Sequence, residues 1–218
     1  HITAPKGNEN DVSTGNVLMQ DVQLASNKGW FTFAAGSTYY LLADGADEWE
    51  EKQSIGSSVV LPGEFDGYVL LDLAGFGADT VADILSAEWD TNISLHFNKA
   101  GAAYGSVYMD AFFYAKENIT IPPVFPYGTL LRDFEDNVDA VSDDYQFTKE
   151  QSTDNAAFGS HSLKLSSDTE IGWGAARIFM NLGDKLGAEG SDALNMQYLG
   201  FHITAPKGNE NDVSTGNV

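Results

Sequence analysis

Short apolar runs recur along this chain at a period of two. In "NISLHF" the residues Ile93, Leu95 and Phe97 share one face, while Ser94 and His96 share the other. "HSLKLSS", "YVLLDL" and "SVYMDAFFYA" alternate or nearly so, and are rich in β-branched, aliphatic or aromatic residues over the length of a strand. Between such runs lie "AAGST", "ADGADE", "LPGEFDG" and "NKAGAAYGS", which carry the Gly, Asp and Asn that turns require. Helix is scarce. "TVADILSAEW" is the best candidate, for a turn or two. Many short strands separated by turn signals predict an all-β fold, an antiparallel two-sheet β-sandwich.

The residues HITAPKGNENDVSTGNV stand both at His1–Val17 and, letter for letter, at His202–Val218, an offset of 202 − 1 = 201 residues. An identity this long and irregular reads as a window slightly longer than one period of an array whose unit is 201 residues. A duplication added by design is the rival account. "MQYLGFHITAP" reads as a strand running straight into the second copy. The punctuation lies in the middle, where Pro122, Pro123 and Pro126 are half of the chain's 6 prolines. Proline removes ladder donors and stiffens the backbone, so this is a linker with extended character. The predicted organisation is 1–117 as the back part of one unit, 118–128 as the linker, and 129–218 as the front part of the next. The window is then permuted relative to the natural unit.

The composition, 43% hydrophobic and 12% aromatic, is that of a folded globular protein, and 218 residues can bury a full core. Net charge is −21, from 32 acidic and 11 basic residues. That balance argues against nucleic acid and against an anionic membrane surface, both of which demand clustered Lys and Arg. The acidic balance favours solubility, divalent cations or a saline environment. Cysteine is absent, as in many secreted bacterial proteins, and no apolar run approaches a spanning helix. The expected location is secreted or at the cell surface, with no membrane insertion.

Read from Thr129 onward and continued through His1, the chain opens with "LLRDFEDNVDAV", passes "AFGSHSLKL" and "GWGAARIFMNLGD", and ends with "GSVYMDAFFYAK". That progression resembles the jelly-roll carbohydrate-binding modules of secreted bacterial proteins. "VVLPGEFDGYVLLDLAGF" also resembles a segment of such surface modules that leads into the final hairpin. The resemblance spans most of the 201-residue unit, and the order of the pieces carries it. It implies a structural calcium where the first and last natural strands meet. Glu135 and Asp110 match the carboxylate positions, with Asp133 beside Glu135 and carbonyls near Ser162 or Lys164 completing the shell. Calcium takes roughly six to eight oxygens. "YMDA" departs from the commoner double aspartate by having Ala111 second. Strand alternation in "RDFEDN" would put Asp133 and Glu135 on one side and Phe134 on the other. The bland alternative is that Asp110 faces solvent or pairs with Arg132.

No histidine spacing of a metal-ligating kind is present, and "FGSHS" lacks the frame of a nucleophile elbow. The chain is therefore expected not to be an enzyme. Sugar binding needs flat aromatic faces. Trp173, Trp49, Tyr104 and Trp89 are the candidate glycan-binding residues, from a set of rings that includes Trp30, Tyr39 and Tyr40; the competing role for each is core packing.

The expected function is a non-catalytic extracellular repeat module, the unit of a surface stalk or fibre, with polysaccharide as a further partner. The alternative is a dedicated glycan-binding module of a polysaccharide-degrading or adhesin protein. The parts can close on each other as a permutant, or each can complete a domain with neighbouring copies of the same sequence. The second arrangement is the expected one, because it uses both copies of the repeated segment.

Overall fold

The structure, a computed structural model, describes residues 17–26, 28–84, 92–97, 105–116, 129–142, 147–166, 174–180 and 192–205. Its strands are β1 (Val17–Ser26), β2 (Gly29–Thr32), β3 (Thr38–Ala43), β4 (Glu50–Gln53), β5 (Val59–Leu61), β6 (Asp66–Asp72), β7 (Asn92–Phe97) and β8 (Val107–Ala115). They continue with β9 (Thr129–Arg132), β10 (Val141–Ser142), β11 (Thr148–Ser152), β12 (Ser162–Ser166), β13 (Gly174–Phe179) and β14 (Tyr198–Thr204). The smaller sheet runs β10-β13-β7-β1-β2, with β5 also on β1. The larger runs β11-β12-β8-β14-β6-β3-β4, with β9 also on β8. The pairings are antiparallel, and the two sheets pack into an all-β sandwich.

The alternation seen in the sequence decides which side chains fill the sandwich. Ile93, Leu95 and Phe97 of β7 are fully buried in the same core as Val69 and Leu71 of β6 and Leu199, Phe201 and Ile203 of β14. Burying each such side chain is worth roughly 1.5–3 kcal/mol, which is what holds two otherwise half-wet sheets face to face. The predicted helix shrinks to one turn, α1 (Val81–Ile84), whose Val81 and Ile84 sit in that core; residues 85–89 of the predicted segment lie outside the described residues.

Both sheets draw strands from both parts of the chain. Strand β8 of the first part is bonded to β14, β12 and β9 of the second, and β7 is bonded to β13. Within this chain the strands before the proline-rich segment pair with those after it. The repeated segment enters the fold at His202. Residues His202–Thr204 finish β14, with Thr204 Oγ1 donating to Asp66 Oδ1 at 2.6 Å, and just beyond it Ala205 N donates to the Phe65 carbonyl at 2.6 Å. The first copy through Asn16, the linker and residues 206–218 lie outside the described residues.

Candidate functional site

Beside the pairing of β9 with β8, two carboxylates hold one loop. Opposite Phe201 the ladder slips by a residue, so that Gly200 faces Phe113 and His202 faces Asp110. Ala111 takes up the slip at φ 51°. Such a bulge re-aims the neighbouring side chain, and Asp110 ends fully buried. Its Oδ1 accepts the N–H of Ala111 at 2.7 Å, and its Oδ2 accepts those of Ala157 and Phe158, both at 2.9 Å. Burial pushes its pKa up to about 7 against the lowering effect of these bonds, with the Asp133 charge adding to the rise. Glu135 Oε1 accepts the N–H groups of Ser160 and His161 at 2.7 and 2.6 Å, and these bonds hold its pKa below the usual range. Between the two sets stands Gly159 at φ 75°, where an added Cβ would overlap the Glu135 carboxyl.

Asp110 and Glu135 hold neighbouring amides of the loop 157–161, and the local geometry differs from the expectation. Strand β9 stops at Arg132, and Phe134 reaches the core through a left-handed backbone (φ 58°) instead of strand alternation. Arg132 does not pair with Asp110; its guanidinium donates to the Phe179 carbonyl at 3.1 and 2.9 Å. Both Asp110 oxygens and Glu135 Oε1 accept from amides, Asp133 Oδ1 takes the N–H of Glu135 at 3.4 Å, and Glu135 Oε2 lies 3.6 Å from His161 Nδ1. Among the described residues no three His, Asp or Glu side chains form a group placed to hold a metal ion. As arranged, Asp110 and Glu135 clamp the loop through its amides.

Of the aromatic candidates, Trp173, Tyr104 and Trp89 lie outside the described residues, and Tyr39 is core. Trp49 sits on the outer face of the larger sheet. There Tyr40, Trp49, Tyr68 and Tyr198 pack, partly buried, on Leu70, Phe113 and Ala115. Tyr40 meets Tyr198 edge to face at 6.1 Å, and Tyr68 meets His202 at 4.9 Å. Burial raises the Tyr40 pKa, helped by the charges of Glu51 and Asp72. These rings are engaged with one another and with the sheet.

The outer face of the smaller sheet is built differently. Trp30 is 62% exposed, the one large apolar side chain so placed among the described residues. It stands on β2, opposite Ala25 of β1. Arg177 stands on β13, three strand steps away, or about 14 Å at the usual spacing. The two side chains reach across β1 and β7 to meet, the guanidinium carbon lying 5.8 Å from the ring centroid. Beneath and beside them a polar row follows the register from strand to strand: Thr32, Gln23, Ser94, Arg177, Ser142. Gln23 Nε2 donates to Thr32 Oγ1 at 3.3 Å, and Ser94 Oγ lies 3.4 Å from His96 Nε2. Ser94 is 3% exposed. Burial lowers the His96 pKa; Asp21, 4.0 Å away, opposes this and Arg177 reinforces it. The alternation in "NISLHF" puts Ser94 and His96 on this side, but nothing in the sequence pairs Trp30 with Arg177.

Comparison with family models, with curated proteins and with solved structures returned no match. Among the described residues no helix is long and apolar enough to cross a membrane.

Proposed function

We propose that the chain is one period of a non-catalytic, extracellular repeat module that binds glycan through the outer face of its smaller sheet. One observation carries this reading: an exposed tryptophan, steadied by an arginine from three strands away, above a row of hydroxyl, amide and guanidinium groups. A sugar presents C–H surface to an aromatic face and hydroxyls to polar neighbours, and this face supplies both. The cation–π contact contributes about 0.5–1 kcal/mol, and holds the indole over the row before ligand arrives.

Repetition would raise avidity along an array of such units. The neighbour-completed fibre belongs to the same proposal, since the interfaces between β8 and β9, β12 and β14 serve a neighbour's strands as well as the chain's own. Calcium enters through the family resemblance alone, with Asp110, Glu135 and Asp133 as the residues that would hold it. The carboxylates are read as structural because amide donors already engage them.

Affinity electrophoresis in gels containing xylan, mannan, β-glucan or soluble chitin derivatives tests the reading. At least one polymer should retard the protein, and Trp30→Ala should abolish the retardation. Equal retardation of the two, or none with any polymer, overturns it.

A further inference from the structure

We propose that the edge of β2 is a self-association site, pairing antiparallel with β2 of a second copy of this chain about a two-fold axis at Phe31. This goes beyond an exchange of strands across β8, because it joins two complete sandwiches edge to edge. Four strands end the two sheet paths, β10 and β2 in the smaller sheet, β11 and β4 in the larger. An open edge invites pairing with another chain unless charge, proline or shortness blunts it. Strand β4 reads EEKQ, β11 reads TKEQS, and β10 is two residues long. Strand β5, which shares β1 with β2, is capped: the Tyr39 hydroxyl takes the Val60 N–H and donates to the Val60 carbonyl, both at 3.2 Å. Strand β2 has none of these devices. Its residues, GWFT, are uncharged, and Trp30 is 62% exposed.

The backbone of this edge is also open. Phe33 N donates to the Val22 carbonyl at 2.9 Å, and the register sets Phe31 opposite Leu24 and Gly29 opposite Ser26. Alternation then turns Gly29, Phe31 and Phe33 toward β1, and the N–H and C=O groups of Trp30 and Thr32 away from it. Among the described residues those groups have no partner. With Phe31 on the axis, Trp30 would face the second copy's Thr32 and Thr32 the second copy's Trp30, each pair exchanging two hydrogen bonds. Charge selects the occupant. A chain of net charge −21 repels its own copies over most of its surface. The charges that adjoin β2 are positive: Lys28, next in sequence, and Arg177, over the Trp30 ring. An acidic partner with an uncharged edge of its own fits there, and a second copy is such a partner. The contact is small, so it is transient between free chains and gains from tethering in an array.

Sedimentation velocity of the intact chain over a concentration series is the first test. A reversible monomer–dimer equilibrium is expected, strengthened by salt because the copies are like-charged. Thr32→Pro removes an outward N–H and leaves the β1 ladder intact, so it should weaken the dimer at least tenfold. Amide hydrogen exchange of the unaltered chain keeps the test independent of that variant's folding. Trp30 and Thr32 should exchange at least tenfold more slowly in the dimer than in the monomer, with Gln53 of β4 unchanged. A monomer at every concentration overturns the inference, as does a dimer that protects Gln53 but neither Trp30 nor Thr32. Either result leaves the glycan reading standing, since retardation of dilute protein depends on the face of Trp30 and not on its backbone.

Discussion

Asp110 accepts the backbone N–H of Phe158 at 2.9 Å across 48 residues of sequence, so a carboxylate of the first part of the chain holds a loop of the second. The neighbouring Ala157 N–H shares the same oxygen. Removing that acceptor would take this bond from two part-buried donors.

Asp110→Ala should therefore cost about 2–4 kcal/mol, one to three for stranded amides and the remainder for the cavity. Urea unfolding monitored by tryptophan fluorescence measures it. A loss under 0.5 kcal/mol would mean that the clamp holds nothing.

The same residue gives a pH signature. Burial pushes Asp110 up to about 7, against an unfolded value of about 3.9. Between those values the native state keeps a proton that the unfolded state has lost. The contribution is thus fully present below about pH 4 and is lost as pH rises through 7. Relative to Asp110→Asn, which cannot titrate, the protein should be more stable at pH 5 than at pH 8. A gap that widens toward pH 8 would contradict the assignment.

Calcium and the amide clamp can be told apart. If calcium holds the junction, chelating it from protein shown to be loaded lowers the melting temperature, because the ion binds the native state alone. Differential scanning calorimetry with and without chelator is the measurement. An unchanged transition leaves Asp110 and Glu135 held by protein groups alone, the loop amides and, for Glu135, His161.

Two glycines should respond unequally to alanine. At Gly67 (φ 154°) an added Cβ would overlap the Leu42 carbonyl, a backbone atom that cannot step aside. Gly67→Ala should cost about 3 kcal/mol or prevent folding. Gly36 (φ 75°) has open space around it, so Gly36→Ala should cost only the left-handed penalty of about 1 kcal/mol. Equal losses at the two sites would show that backbone strain, not contact, governs both.

Cleavage should not separate the two parts. With β8 bonded to β9, β12 and β14, a protease site introduced into residues 118–128 and cut should leave both fragments in one particle by size-exclusion chromatography under native conditions. Fragments that elute separately would mean that the interfaces seen within this chain are too weak to act between neighbours.

Period-two alternation by itself determined the strands and their inward faces: β7 coincides with "NISLHF", and its three apolar residues are core, because a pleated strand offers only two sides. That Asp110 and Glu135 hold one loop came from the family resemblance and not from local pattern, since Glu135 lies beyond the end of β9. Tertiary structure alone decided the rest. The bulge at Ala111, which turns Asp110 onto the loop, depends on a partner strand 90 residues away, Phe201 of β14. The left-handed turn at Phe134 replaced the alternation that local pattern implied, because the ring had a core to enter where the strand had already ended. Trp30 became a candidate site residue only through Arg177, whose side chain meets it across two intervening strands. A single sequence records which side of a strand a residue faces, and folding records which strands lie beside it.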